Sequence, residues 1–363
     1  MIRISKPIIE EDEINAAVEV LKTGYLAQGK KVEEFEERFA EFIGVEHAVA
    51  VSSGTAALHI ALLAHGIGEG DEVITTPFSF IATANSILLT GAKPVFADIN
   101  ENDFNINPDA VLNKITHRTK AIMPVHLYGH PADMKALVEI AEDHNLLIVE
   151  DACQAHGAEF GGKKVGSFGV GCFSFYATKN MTTGEGGMIT TNDKIIAEYA
   201  RMLRSHGSRQ RYFHELLGFN MRMTDVSAAI GIVQLAKLPA MTRRRQENAE
   251  YLTNCIKNVE GVVPPSVKRG CTHVFHQYTI RVVNTEISRD AVVKELREKG
   301  IGAEIYYPIP IHKQPLYQDL GYDETLPVAE RLAKEVISLP IHPAVSKEEL
   351  KQCATALREV IYG

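Results

Sequence analysis

Seven short apolar runs punctuate the first two-thirds of the chain: HAVAVSS (47–53), DEVITTP (71–77), PVFADI (94–99), AIMPVHL (121–127), LLIVEDA (146–152), CFSFYA (172–177) and GMITTN (187–192). Stretches of helical period lie between most of them, such as TAALHIALLAHG after the first run and ADMKALVEIAEDHN before the fifth. Strand–helix alternation of this kind predicts a mostly parallel seven-stranded sheet with helices on both faces. Runs as uniformly apolar as AIMPVHL and LLIVE fit strands buried on both sides, because the crossover helices cover both.

Beyond about Leu235 the pattern changes. LAKLPAMTRRRQENAEYLTNCIKN reads as one long, partly amphipathic helix or as two helices meeting near Pro239. VFHQYTIRV, DAVVKELREKGI, AEIYYP and the closing KEELKQCATALREVIYG then alternate on a smaller scale. The expectation is an α/β chain in two parts, a large domain over 1–235 and a smaller C-terminal α/β domain over 236–363. Ligand clefts often lie between such parts.

Composition narrows the class of partner. The 363 residues are 45% hydrophobic and 23% charged, ordinary values for a soluble globular protein. A net charge of -8 argues against nucleic acid and anionic membrane, which call for a basic surface. The basic run Arg243–Arg244–Arg245 reads as a solvated helix face. The N-terminus has no signal-peptide core, and no apolar run is long enough to span a bilayer. The five cysteines are odd in number and form no CxxC pair, which points away from a disulfide framework and from a zinc site. A reducing, cytoplasmic compartment and no metal are the expectations.

Four fragments carry candidate chemistry. Asp151, in EDACQAHGAEF, ends a strand, where open parallel sheets bind ligands; it fits a ligand carboxylate and a helix N-cap equally well. Lys179, in CFSFYATKNMTTGEGGM, follows a strand and enters a glycine-rich turn. A lone lysine there would ordinarily point to solvent. The neighbouring hydroxyls of Ser174 and Thr178, and Gly184, Gly186 and Gly187, which let backbone pass close to a ligand, favour a desolvated nucleophilic amine. Gly54 and Thr55, in VSSGTAALHIALLA, open a helix whose N–H groups suit a phosphate, although an ordinary cap reads the same way. Phe78 and Phe80, in PFSFIATANSI, fit core aromatics or a ring-stacking face. Each fragment is weak alone. Together they supply an amine for an aldehyde, a carboxylate for a pyridinium nitrogen, a phosphate cup and a stacking aromatic, the set that pyridoxal phosphate requires. No HExxH or GxSxG spacing competes.

The same motifs resemble the DegT/StrS-type aminotransferases of nucleotide-linked keto sugars. The likeness runs from GYLAQGKKVEEFEERFAEFIG through SSGTAAL, GDEVITTPFSFIATAN, TKAIMPVHLYGHPADM, EDACQAHGA, FSFYATKN and GEGGM to GFNMRMTDVSAAIGIVQL. The resemblance implies the aspartate-aminotransferase-like fold type I and pyridoxal 5'-phosphate as cofactor. It implies that Lys179 forms the Schiff base and moves the proton, and that Asp151 pairs with the ring nitrogen. Gln154 lies beside the ring and Phe80 covers it. Gly54, Thr55 and Ser174 hold the phosphate, and Asn220 reaches it from a neighbouring subunit of a homodimer. Tyr25, Tyr306 and His312 fall in segments that approach the sugar. The implied reaction moves an amino group from L-glutamate to a nucleotide keto sugar. The GFNMRMTDVSAAIGIVQL stretch is closer to relatives acting at C4 than at C3. A 3-keto sugar, a cyclitol ketone and a non-catalytic regulatory protein on the same scaffold are the alternatives. Lys179 stands where sugar dehydratases of this kind carry histidine, which favours transamination. Cys153 departs from the pattern, in which a small alanine is common.

Overall fold

A computed structural model describes all 363 residues. The seven apolar runs become the strands of one sheet: β1 (His47–Val51), β2 (Glu72–Thr75), β3 (Lys93–Phe96), β4 (Thr119–Met123), β5 (Leu147–Asp151), β6 (Val170–Ser174) and β7 (Gly187–Thr191), in the order β1-β7-β6-β5-β4-β2-β3. β7 runs antiparallel to both of its neighbours, and the remaining pairings are parallel. Most of the apolar runs outlast their strands. Val125, Leu127 and Phe175 lie past the ends of β4 and β6 yet are buried, because the loops at the carboxyl edge turn back over the core. Hydrophobicity therefore marks the strand's place but not its last residue.

Helices cover both faces. On one, α1 (Glu11–Thr23) and α2 (Lys30–Ile43) join a long helix in a core that includes Phe35, Phe39, Phe173, Phe175 and Leu235. On the other, α3 (Gly54–Ala64) brings Leu58 and Ile60 against Val49, Cys172 and Ile189, beside α4 (Ala82–Leu88) and α6 (Lys194–Arg204), while α5 (Met134–Asp143) packs on the first face, against Ile74 and Ile122.

The long helix, α7 (Asp225–Ile256), is continuous through Pro239, so the two-helix alternative does not hold. An interior proline costs about 3 kcal/mol in a lost hydrogen bond and a ring clash. Packing on both sides outweighs that cost. Ala228, Ile232, Leu235 and Leu238 fill the first core, while Ala249, Leu252 and Ile256 fill a second. Lys237 also reaches across to Glu10, Asp12 and Glu13 of the N-terminal segment.

The second core lies under the antiparallel sheet β8 (Val262–Val263), β9 (Tyr278–Val282) and β10 (Val336–Leu339), packed with α8 (Arg289–Glu298) and α9 (Lys347–Tyr362). Ile2 joins this core beside Ile301, so the chain's first residues cross to its C-terminal part. No helix is long and apolar enough to cross a membrane.

Candidate active site

The carboxyl edge of β5 and β6 sets the site. Asp151 is the last residue of β5, paired in register with Cys172 of β6, and only 5% exposed. A carboxylate buried that far needs donors. Thr83 Oγ1, on α4, donates to its Oδ2 at 2.7 Å, and the Cys153 N–H reaches Oδ1 at 3.2 Å. Ser79 and Thr83 hydroxyls lie 2.9 Å apart, which fixes the Thr83 rotor. Asp151 is thus a carboxyl group held in one orientation rather than the cap of a following helix, since no regular helix starts there.

Lys179 sits three residues past a half-exposed Tyr176, on a turn in which its own N–H donates to the Tyr176 carbonyl at 2.9 Å. Its side chain is half-buried. Burial pulls its amine below the usual lysine range, against the opposing pull of Cys153 and Asp151. The balance yields an amine that gives up its proton more readily than a surface lysine does, the property a nucleophilic lysine needs. The neighbouring groups keep that balance. His156 is fully buried and pushed down to about 3, first by burial and then by the Lys179 charge, so it stays neutral at pH 7. The Cys153 thiol is pushed well up by burial and by Asp151, which keeps it protonated.

Gly54 closes the site from the side of α3. A Cβ placed there would lie 2.7 Å from Ser174 Cβ, 2.9 Å from Cys153 Sγ and 3.2 Å from Ser174 Oγ. Only glycine lets the start of α3 approach Ser174 this closely. Ser53 caps the helix by accepting from the Ala56 N–H at 3.1 Å. The N–H groups of Gly54 and Thr55 belong to the first turn and have no intrahelical acceptor, so the positive end of α3 faces the Ser174 hydroxyl. The glycines after Lys179 serve a different purpose from the one expected. A Cβ at Gly187 would meet Ser53 O at 2.3 Å, and one at Gly186 would meet Thr183 Oγ1 at 2.4 Å. Gly187 makes room for the backbone of the α3 turn and Gly186 for the side chains of Thr183 and Met223, while Gly184 has open space around it and a φ of +83°.

The aromatic pair separates as its two readings allowed. Phe78 is fully buried, whereas Phe80 is 56% exposed and tilted over Tyr307 at 6.3 Å. Gln154 is anchored at both ends: its Oε1 accepts from the Tyr128 N–H at 2.9 Å, and its Nε2 donates to Tyr307 Oη at 3.2 Å. Tyr306 is half-buried next to Tyr307, with its carbonyl accepting from Tyr128 Oη.

Gly54, Thr55, Phe80, Asp151, Gln154, Ser174 and Lys179 therefore gather at one edge of the sheet, with Tyr306 at its C-terminal side. Three residues are placed differently. Tyr25 is 82% exposed between α1 and α2. Asn220 is exposed after the hairpin formed by residues 208–214, directly before Met221, whose carbonyl accepts from the Ser52 N–H at 2.9 Å ahead of α3. His312 has no exposed surface: its Nε2 lies 3.1 Å from Glu330 Oε1 and its ring packs near Phe96, so its side chain is spent on the core and offers nothing to a ligand in this conformation. The segment of His312 does approach the site, since the Ile311 N–H donates to the Pro77 carbonyl at 2.7 Å. Thr83, His156 and Tyr307 were not singled out from the sequence. Thr83 and His156 lie inside the quoted motifs, but their partners come from distant strands and loops.

An open parallel sheet that brings a half-buried amine beside a buried carboxylate and a helix N-terminus defines an aminotransferase-type site. The chain matches the DegT/DnrJ/EryC1/StrS aminotransferase family over residues 7–358 and belongs to it. It is an aminotransferase with the fold that the resemblance implied. The GDP-perosamine synthase of Caulobacter vibrioides is 40% identical over 99% of this chain and 98% of its own length. The UDP-N-acetyl-3-dehydro-alpha-D-glucosamine 3-aminotransferase of Acidithiobacillus ferrooxidans is 40% identical over 97% of this chain and 95% of its own. The crystal structure of S. venezuelae DesV in complex with a ketimine intermediate superposes with a TM-score of 0.93 at 39% identity, covering 97% of this chain and 94% of that one.

Proposed function

We propose that the chain is a pyridoxal-phosphate-dependent aminotransferase that moves an amino group from L-glutamate to a nucleotide-linked keto sugar, at C4 of a 4-keto-6-deoxyhexose. The observation that carries the reading is the convergence of Lys179, Asp151 and the Gly54–Ser174 contact at one edge of the sheet. Membership of the sugar-aminotransferase family supports the substrate class. Position C4 is supported by the GFNMRMTDVSAAIGIVQL segment alone, and the 3-aminotransferase relative keeps C3 as the second reading.

The residues fit the cofactor. The cup formed by the Gly54 and Thr55 N–H groups and the Ser174 hydroxyl takes the phosphate. Asp151 would hold the ring nitrogen protonated, with Gln154 and Phe80 as the residues that would hold the ring. When bound, the cofactor supplies an aldehyde for the amino group and a protonated ring that accepts the electron pair released at the donor Cα. Lys179 would hold the aldehyde through its Nζ and, with the donor bound, would act there as the base and acid that moves the donor's Cα proton. Its lowered basicity lets the amine give up its proton more readily than a surface lysine does. In the proposed two-part division, 1–235 carries these groups and 236–363 brings Tyr306 to the sugar side. Tyr25 completes that side when the second subunit is in place. His312 acts only through the backbone of its segment. The five unpaired cysteines accord with a cytoplasmic setting.

The substrate is tested by half-reaction. The enzyme is loaded with pyridoxamine phosphate and offered a panel of nucleotide-linked 4-keto and 3-keto sugars and a cyclitol ketone. Conversion of the cofactor spectrum by a 4-keto-6-deoxyhexose is expected; response to the 3-keto sugars alone would move the reading to C3.

We also propose a homodimer in which Asn220 of the partner subunit reaches the phosphate cup. Tyr212, Phe213 and Leu217 are all strongly exposed around the 208–214 hairpin, an apolar surface that a second subunit would cover. Chains carrying Lys179→Ala and chains carrying Asn220→Ala are each expected to be impaired. A mixed dimer keeps one intact site of two, so refolding the two together should restore about a quarter of the parental activity. No recovery on mixing would show that Asn220 acts within its own chain.

A further inference from the structure

Asn180 follows Lys179 directly and is 3% exposed. Its Nδ2 donates to the Val274 carbonyl at 3.0 Å, and its Oδ1 lies 3.3 Å from His276 Nδ1. The chemistry of these groups fixes their orientation. A carbonyl only accepts, so the amide nitrogen faces Val274; the amide oxygen must then face His276, whose Nδ1 carries the proton. His276 is buried and held well below the usual histidine range, mainly by burial and then by the charges of Lys179 and Arg245, so it donates as a neutral ring.

The segment that receives Asn180 is itself clamped. From α7, buried Arg245 donates to the carbonyls of Phe275 at 3.1 Å and His276 at 3.4 Å, and Gln246 donates to that of His273 at 3.0 Å. From the other side, the Val274 N–H donates to Gly129 O at 3.0 Å and the Gln277 N–H to Tyr128 O at 3.2 Å. Tyr128 in turn holds Gln154. One five-residue segment, 273–277, thus ties α7 to the Lys179 turn through Asn180 and to Gln154 through Tyr128.

We propose that Asn180 and His276 are positioning residues: their bridge fixes the Lys179 turn so that the amine stays half-buried and aimed across from Asp151. This rests on Lys179 being the reactive amine. The rest of the turn is held farther from the amine, by the Thr182 N–H to Gln234 Oε1 at 3.3 Å and by Thr182 Oγ1 to the Phe175 carbonyl at 3.0 Å, so the Asn180 bridge is the side-chain tie directly beside Lys179. The groups facing the amine are Asp151 and Cys153 from the end of β5, His156 from the loop that follows, and His276 with Arg245 behind it. Loosening the turn admits water to the amine and moves its proton affinity back toward that of a free lysine. Misplacement by about 1 Å also slows transfer steps by up to about 10²-fold.

The test reads Lys179 in the cofactor-free protein. Limiting acetic anhydride is applied across a pH series, and acetylation of the Lys179 peptide is measured by mass spectrometry; kcat and KM are then measured after reloading. Asn180→Ala and His276→Leu are expected to raise the pH midpoint of labelling by about half a unit or more and to lower kcat about tenfold or more, with KM for the amino donor within about threefold. His276→Asn keeps an N–H donor for the amide oxygen and is expected to track the parent. A midpoint unmoved in both disruptive variants overturns the proposal, whatever happens to kcat. Should neither fold, Asn180→Leu, of similar size, uncharged and without the N–H for Val274, is read in the same way: a raised midpoint supports the bridge and an unmoved one overturns it. Borohydride reduction of the reloaded parent separates the two levels. Cofactor fixed to another lysine sinks the functional reading, whereas label on Lys179 with unmoved midpoints sinks the bridge alone.

Discussion

Lys179→Ala is expected to reduce turnover by about 10⁴-fold or more while the protein stays folded. The size of the effect follows from the two tasks proposed for one nitrogen, capture of the cofactor aldehyde and transfer of the Cα proton. None of the neighbours can take these over. The His156 imidazole is buried and neutral, and the Cys153 thiol is held protonated. The fold should survive because the Lys179 side chain is lowered in basicity by burial rather than engaged in an ion pair. The sign of its stability contribution follows. A lysine whose folded value lies below its unfolded one destabilises the fold at neutral pH, and that penalty fades only as pH rises through the folded value toward the ordinary lysine range. The alanine variant should therefore match or exceed the parent in thermal midpoint at pH 7. Turnover and melting temperature measured together check both halves. Near-parental turnover would refute the assignment, and a large drop in melting temperature would mean that the lysine holds the structure.

The pattern of the sequence carried most of this architecture, for a physical reason. Strands buried on both faces must be uniformly apolar, so the seven runs that build the sheet stand out without any partner being known. The proposed amine and carboxylate stand out in the sequence for a related reason: Asp151 ends β5 and Lys179 follows β6, at the sheet's open edge where ligands are received. Continuity of α7 was not legible at Pro239. Local propensity there says break, and the decision falls to two cores that only the folded chain brings together.

The residues around the reactive pair were harder to read. Thr83, Asn180 and His276 act through partners 68, 94 and 96 positions away. No local pattern encodes such a contact. His312 shows the opposite failure. Its segment approaches the site, as the resemblance implied, but the imidazole turns inward to Glu330, and which way a side chain faces on an irregular segment has no period to reveal it. Gly186 and Gly187 of the Lys179 turn are places of close approach, but the chain itself is what approaches, and Gly184 has open space around it. What approaches Gly187 is the Ser53 carbonyl.

Asp151→Asn is the second large effect, expected at about 10²-fold in kcat. The substitution keeps shape and removes charge. A carboxylate stabilises a proton on the cofactor ring nitrogen by a charge-assisted bond, and a neutral amide does not. In the variant the ring loses that proton at neutral pH and accepts the Cα electron pair poorly. The two groups that hold Asp151, Thr83 Oγ1 and the Cys153 N–H, both donate. An asparagine has one acceptor oxygen for the two of them, so a loss of about 1–3 kcal/mol in stability would accompany a purely positional role. Thr83→Val separates the causes. It removes the 2.7 Å bond to Oδ2 but leaves the charge in place. If charge is what matters, Thr83→Val costs less than about tenfold in kcat while Asp151→Asn costs its full factor, and the pH at which the bound cofactor's absorbance titrates moves in Asp151→Asn alone. Equal losses in both variants, with the absorbance titration unmoved, would reduce Asp151 to a structural anchor of the β5 edge.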